Sequence, residues 1–464
     1  MARLVTVEAH NPKVDPEELI YVRYGELGNG YIVTSESGSW HFFSPEDFET
    51  YLAGKVPLED ELSAELTQKG FIRQGYDVEY HARKFRGLKR FLGAGVSRHY
   101  VSLNGEDGEL ATDTAKSIVD QVVTCASDTL NVTFIDNGAG IRTGILEFFK
   151  DYAKEKNQYE GKELNFSVRS PLENFGEEEA SWLIKNKFAL ETHLDGSESV
   201  HNAGRPSTGA GEYSKVLEGI KVYLEAGKSA QKERHQISLT VTTRLSPEVS
   251  GTDTVQSFQA NGVREFRVLP ILETEMNVDT YLTCYSSLLD ALMKVESGTP
   301  RVRELGVSHL LQRIHREVEV DDILMQSPSG AGLSELSYDV NGNIFPGEEA
   351  RALFEEGDSM FHLGKAGEVD PKEVRKSHTI RALTIASIVD CLPGYQTLWS
   401  APYLGLDPIH SYVESGDLFP CLLRDSRSQA RHGLVSAVFK MLIAQEGDKD
   451  AVFMQLAGSG DDGI

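Results

Sequence analysis

From Arg98 onward the chain switches repeatedly between two hydrophobic rhythms. Short runs in which every second position is apolar, at 99–103, 131–135, 164–168, 189–194, 237–242 and 265–272, predict strands buried on one face. Between them lie stretches with apolar residues at helical spacing, 112–125, 140–156, 176–187, 213–226 and 249–260, which predict five crossover helices. Strands joined by helices pair in parallel, so the fold class is α/β with a parallel sheet. An open, partial (β/α)6 TIM-like barrel fits the string, and a doubly wound sheet fits it nearly as well.

The flanks differ. Tyr21–Tyr24 and Gly30–Thr34 alternate around the turn residues Gly28-Asn29, Trp40–Phe43 adds a third aromatic-rich run, and Ser44-Pro45-Glu46-Asp47 has the cap and first-turn residues of a helix start. With a second helix over 60–69, this predicts a small α+β module, winged-helix-like or suited to clasping a peptide by strand addition. Beyond residue 273 helices dominate, at 279–294, 302–316, 371–390 and 425–445. They are interrupted by a hairpin over 336–346 turned at Asn341-Gly342, and 458–464 reads as a disordered tail.

Composition adds exclusions. With 71 acids against 46 bases the net charge is −25, and the basic segment 81–90 is the one local exception. Nucleic-acid backbones require clustered Lys and Arg, so nucleic acid is excluded as a general partner and 81–90 reads as a solvated helix face or linker. No stretch approaches the ~20 apolar residues of a membrane span, and Met1–His10 lacks the apolar core of a secretory signal, so the expected location is the cytoplasm. Cys125, Cys284, Cys391 and Cys421 are scattered without a short Cys-x(2–4)-Cys step and read as reduced thiols rather than metal ligands.

The candidate chemistry lies where strands end. After the run 189–194 come Asp195-Gly196, His201 and Arg205-Pro206, read as a polar loop, and after 131–135 come Asp136-Asn137-Gly138. Loops at the carboxyl ends of parallel strands build the sites of α/β proteins. Asp136, Asn137, His193, Asp195, His201 and Arg205 are therefore the candidate barrel-mouth residues, offering an acid, a base and an anion clamp. A divalent metal on His193, Asp195 and His201 is a variant of that idea. The structural alternative is a loop-fixing Asp195–Arg205 pair with His201 capping backbone.

These motifs, in order, resemble those of radical SAM enzymes with SPASM-type C-terminal domains, the peptide maturases, and in particular the maturases of His-Xaa-Ser peptide systems. The resemblance is carried by Gly30–Val33 with Ser44–Phe48, Phe134–Ala139, Leu194-Asp195-Gly196 with His201 and Arg205-Pro206, Asp339–Ile344, Phe361–Gly364 and Pro402–Pro408. It implies an N-terminal module over 1–90, a radical-SAM-like partial barrel over 91–275 and a SPASM-like domain over 276–457. The family uses a [4Fe–4S] cluster on Cys-x3-Cys-x2-Cys after the first strand, together with S-adenosylmethionine (AdoMet). Here 101–110 has no cysteine, the family's Gly-Gly-Glu-Pro is Asp136-Asn137-Gly138-Ala139, and its Pro-Tyr-Cys-Gly has Leu404 for the cysteine. The expectation is a pseudoenzyme that uses no cofactor and binds a precursor peptide or an active maturase partner. The alternatives are a non-radical enzyme using the Asp/His/Arg mouth, and a radical enzyme whose cluster is built from distant cysteines.

Overall fold

A computed structural model describes residues 19–55, 61–231, 237–271, 276–295, 301–316, 320, 322–444, 453 and 455–457, and of 205–208, 229–231 and 316 the backbone alone. The N-terminal ten residues and 458–464 lie outside the described residues.

The six expected strands are present, and they are part of a larger sheet. An antiparallel trio comes first in the chain, β1 (Arg23–Leu27), β2 (Gly30–Thr34) and β3 (Trp40–Phe43). The main sheet begins with β4 (Arg98–Ser102), and a short hairpin of β5 (Asn104–Gly105) and β6 (Gly108–Glu109) follows it. The main sheet continues with β7 (Thr129–Ile135), β8 (Glu163–Arg169), β9 (Phe188–His193), β10 (Leu239–Thr243), β11 (Glu265–Val268), β12 (Arg303–Glu304), β13 (Glu335–Tyr338) and β14 (Ile344–Phe345). Its order is β12-β11-β10-β9-β8-β7-β4-β13-β14, and every pairing is parallel except β13–β14. The hairpin expected over 336–346 thus forms, with Gly342 at φ +84° in its turn, but its first strand also extends the main sheet beside β4. The sheet remains open.

Alternation explains why this sheet has two unlike faces. Val101, Val132, Phe134, Phe166, Val168, Phe188, Leu190, Val241 and Phe266 point to the helices and belong to one continuous apolar core. Phe134 meets Phe149 of the helix Thr143–Asn157 edge-on at 4.9 Å, and Phe166 stacks on Phe188 at 5.4 Å. Each such buried ring is worth ~2–3 kcal/mol. The intervening residues form polar rows across the strands. One row runs Tyr100, Thr133, Ser167, and the next Ser102, Ile135, Arg169, Glu191, Thr240, Glu265, Arg303. Thr133 and Ser167 share a hydrogen bond of 2.8 Å, and Arg169 Nε donates to Glu191 Oε2 at 3.2 Å. The Arg169 guanidinium also lies 5.6 Å from the Tyr100 ring centroid and donates to Glu348 Oε2 at 2.7 Å, so this polar face curls inward.

The three-stranded sheet carries its own small core of Val33, Phe43, Phe48, Tyr51, Leu66 and Phe71 beneath the helices Pro45–Leu52 and Glu61–Gln68. Ser44 caps the first as expected, accepting from the Asp47 N–H at 3.2 Å. This unit is sewn to the C-terminal third of the chain. Thr34 Oγ1 donates to the Trp399 carbonyl at 2.6 Å, Tyr403 Oη donates to the Gly38 carbonyl at 2.6 Å, Arg23 pairs with Asp390 at 2.6 Å, and Trp40 meets Phe439 edge-on.

Three local expectations need correction. The polar stretch after β9 is a helix, Glu198–Thr208, started by Ser197, whose hydroxyl accepts from the Val200 N–H. The helix expected over 371–390 is broken into Pro371–Val374 and His378–Ala386, because Ser377 acts as a new cap in its middle. The basic segment lies largely on the helix Val78–Leu88, but it is not wholly solvated, since burial lowers Lys84 and Lys89 to about 8 and Lys89 donates to the Ser327 carbonyl.

Candidate functional site at the barrel mouth

The carboxyl ends of β7 and β9 carry two separate polar networks. At the end of β7, Asp136 is buried and its carboxylate accepts from Asn104 Nδ2 (3.1 Å), the Gly138 and Gly140 N–H groups (3.0 and 3.1 Å) and Ser170 Oγ (2.7 Å). Asn137 is fixed in turn, its N–H donating to Asn104 Oδ1 at 2.8 Å and its amide to the Asn104 carbonyl at 2.9 Å. Asn104, just past β4, therefore interlocks with the two residues that the sequence put forward at β7. A carboxylate accepting this many hydrogen bonds is a loop organiser, with little accepting capacity left over.

At the end of β9, Asp195 is fully buried and its partner is Arg244, from the end of β10. Its Oδ1 accepts from the Arg244 N–H at 2.7 Å and its Oδ2 from Nε and Nη2 at 3.2 and 2.8 Å, while Nη2 also reaches the Val200 carbonyl at 2.7 Å. His193 Nε2 lies 3.1 Å from Asp195 Oδ1, and its Nδ1 lies 3.1 Å from Thr242 Oγ1. Burial opposes ionisation of Asp195, but His193 and Arg244 outweigh it and hold the carboxyl at about 2. His201 stacks on His193 with ring centroids 5.5 Å apart. Its Nδ1 accepts from the Asp195 N–H at 3.2 Å, which leaves the proton on Nε2, 2.9 Å from the Gly211 carbonyl. Burial lowers the His201 pKa further, so the ring is neutral.

The side chain of Arg205 lies outside the described residues, and the arginine on Asp195 is Arg244, which sequence reasoning missed. Its signal was positional, since Arg244 directly follows the next parallel strand. Gly204 makes the arrangement possible, because a Cβ there would stand 1.7 Å from the Arg244 guanidinium. The ligand atoms of His193, Asp195 and His201 converge within 4.8 Å. However, the cation among them is already a guanidinium and both His201 nitrogens serve the backbone, so this triad is a poor fit for a divalent metal.

A cavity of about 260 Å³ opens between β4, β11, β12 and the chain beyond residue 323. Its walls include Tyr100, Arg267, Tyr281, Tyr285, Glu304 and Glu335. Glu304 is buried and accepts from the Val268 and Val307 N–H groups at 3.0 and 2.6 Å and from Tyr285 Oη at 2.8 Å. Arg267 pairs with Asp322 at 3.2 Å, which His309 also contacts at 3.2 Å. None of these residues stood out in the sequence, since each lies in an ordinary run.

No family model and no curated protein matches the chain. Solved structures do. Native anSMEcpe with bound AdoMet aligns over 75% of this chain and 98% of its own, at 13% identity and a TM-score of 0.57. Native anSMEcpe with bound AdoMet and Cp18Cys peptide aligns over 75% and 98%, at 12% identity and a TM-score of 0.57. The fold is that of the radical SAM maturases. At this identity the likeness concerns the fold, and it favours the partial barrel over the doubly wound alternative. It also overturns one expectation from the sequence, that of a chain without a cofactor, because the solved structures sharing this maturase fold carry bound AdoMet. No described helix is long and apolar enough to cross a membrane.

Proposed function

We propose that the chain is a catalytically degenerate maturase homologue that binds a peptide against the polar, inward-curling face of its sheet. The observation that carries the proposal is the self-sufficiency of the mouth. Asn104, Asp136 and Asn137 consume one another's hydrogen bonds where a cluster loop would follow β4, and Arg244 saturates Asp195. The thiols do not fit a cluster there. Cys125 follows the helix Thr112–Val123 at the amino ends of β7 and β8, its carbonyl taking the Lys162 ammonium, and burial raises its thiol to about 11. Cys284 lies within the helix Val278–Met293, and Cys391 and Cys421 are exposed on the C-terminal segment.

The lumen still suits a peptide. Side-chain donors and acceptors at Tyr100, Thr133, Ser167, Arg169 and Glu191 line it, and the cavity at its open edge adds Tyr281 and Tyr285. A peptide needs such an array for its own amides. Peptide is also bound in two anSMEcpe structures. The three-stranded module offers a second hold through strand addition, and an active maturase is the second partner class. AdoMet is the small ligand to bring to this lumen first.

The test uses the full chain, reconstituted with iron and sulfide without oxygen, then given AdoMet, dithionite and a synthetic peptide of His-Xaa-Ser repeats. The expected result is binding of peptide by calorimetry with no 5′-deoxyadenosine formed. Formation of 5′-deoxyadenosine would refute the degenerate assignment, and failure of the peptide to bind would refute the peptide-binding half.

A further inference from the structure

The C-terminal segment holds a second convergence of metal-binding side chains, far in sequence from the barrel mouth. The helix Pro408–Ser415 is capped by Asp407, and its spacing sets His410 and Glu414 one turn apart on the same face. Asp425 caps the following long helix, Ser426–Ala444, its Oδ1 accepting from the Ser428 N–H at 2.7 Å. Ligand atoms of His410, Glu414 and Asp425 lie within 4.8 Å of one another. His410 is only 3% exposed, and its Nε2 has no hydrogen-bond partner. That nitrogen lies 3.5 Å from Glu414 Oε2.

Two features separate this cluster from the one around Asp195. There a guanidinium supplies the positive charge, whereas among the described residues no arginine or lysine pairs with Glu414 or Asp425. The nearby Arg427 acts on His410 and Asp425 through space, but its ion pairs are with Asp407 and Glu349. The second feature is distance. A separation of 3.5 Å is long for a hydrogen bond and close to the ~3.3–3.4 Å edge of a tetrahedron whose ligands each lie ~2.0–2.1 Å from a central ion.

We propose that His410, Glu414 and Asp425 form a binding site for one divalent transition-metal ion of the zinc class, which ties the helix Pro408–Ser415 to the start of the helix Ser426–Ala444. One imidazole nitrogen and two carboxylates are a donor set for such ions, and the partly exposed Glu414 side chain leaves a position for water. The site is independent of the peptide-binding proposal.

The full chain, stripped with chelator, is titrated with Co2+ and followed by its visible ligand-field absorption, then with Zn2+ as competitor. The expected result is one Co2+ per chain, displaced by Zn2+, with Zn2+ raising the melting temperature. Glu414→Gln should weaken binding at least tenfold, and Asp425→Asn should do the same while keeping the cap, since Asn caps as well as Asp. Absence of Co2+ binding would overturn the proposal, as would wild-type affinity in both variants. A thiolate charge-transfer band would also overturn it by moving the ion to Cys391 or Cys421.

Discussion

Replacing Gly204 by Ala in the helix Glu198–Thr208 should reverse its usual sign. In an ordinary helix interior the change stabilises by ~0.5–1 kcal/mol. Here the new methyl would stand 1.7 Å from the Arg244 guanidinium, which is held by two bonds to Asp195 Oδ2 and one to the Val200 carbonyl. Charge-assisted hydrogen bonds are worth ~1.5–3 kcal/mol each, and depriving a buried ion of its partner costs ~3–5 kcal/mol. The fall of the Asp195 pKa from 3.8 to about 2, which His193 and Arg244 produce together against burial, corresponds to ~2 kcal/mol and sets a cautious ceiling for the Arg244 share. Because that pKa is depressed, the contribution is fully present above pH 3.8 and is lost only as pH falls through about 2. A neutral-pH experiment therefore sees all of it. Net of the propensity gain, Gly204→Ala should destabilise the helix by ~1–1.5 kcal/mol, or a ~5–10-fold faster amide exchange over 198–208 by hydrogen–deuterium mass spectrometry. In an Arg244→Ala background the obstacle is gone, and the same substitution should slow exchange several-fold. Slower exchange from Gly204→Ala in the native background, or equal effects in both, would refute the idea that this glycine exists to admit Arg244.

Glu335 faces the cavity with its pKa raised from 4.5 to about 8 by burial, against Arg98 and with help from Asp407, Glu348 and Glu349. A raised acid contributes stability below pH 4.5 that is lost as pH climbs through 8, so Glu335→Gln should raise the melting temperature above pH 8 and leave it unchanged at pH 4; a flat difference across pH would reject this. Trp399 is buried against Gly25, and its carbonyl accepts from Thr34, so Trp399→Ala should cost ~3–5 kcal/mol and open the three-stranded module of β1–β3 to limited proteolysis. Unchanged proteolysis would mean that the Arg23 and Tyr403 contacts suffice.

Much of the sheet was legible because strands buried on one face write a period of two into the chain. Val132, Phe134, Phe166 and Val168 carried that signal, and the five crossover helices followed from their own spacing. β12 was illegible because two residues have no period, and the pairing of β13 with β4 was illegible because alternation specifies a face and not a neighbour. The helix Glu198–Thr208 was hidden by Gly204 and Pro206, which locally oppose it, and Gly204 is retained for a contact with Arg244 rather than for the helix itself. At the mouth, Asp136, His193, Asp195 and His201 were visible as polar residues ending apolar runs, but their partners Asn104, Ser170 and Arg244 belong to neighbouring strands. Which acid meets which base is a property of strand order. The three-part division 1–90, 91–275 and 276–457 is an expectation that the common core, running from Leu27 through Ala457, does not by itself draw.

The pairing of β13 with β4 imposes an order on synthesis. Arg98 emerges from the ribosome long before Glu335, its neighbour across the sheet. Until then β4 presents a bare parallel edge, the kind of surface to which other extended chains add. Sheet completion must therefore wait for more than two-thirds of the chain, and contacts this distant in sequence form slowly. Fragments ending before residue 335 should be sticky rather than merely inactive, and a nascent chain of this length is a natural client for chaperones.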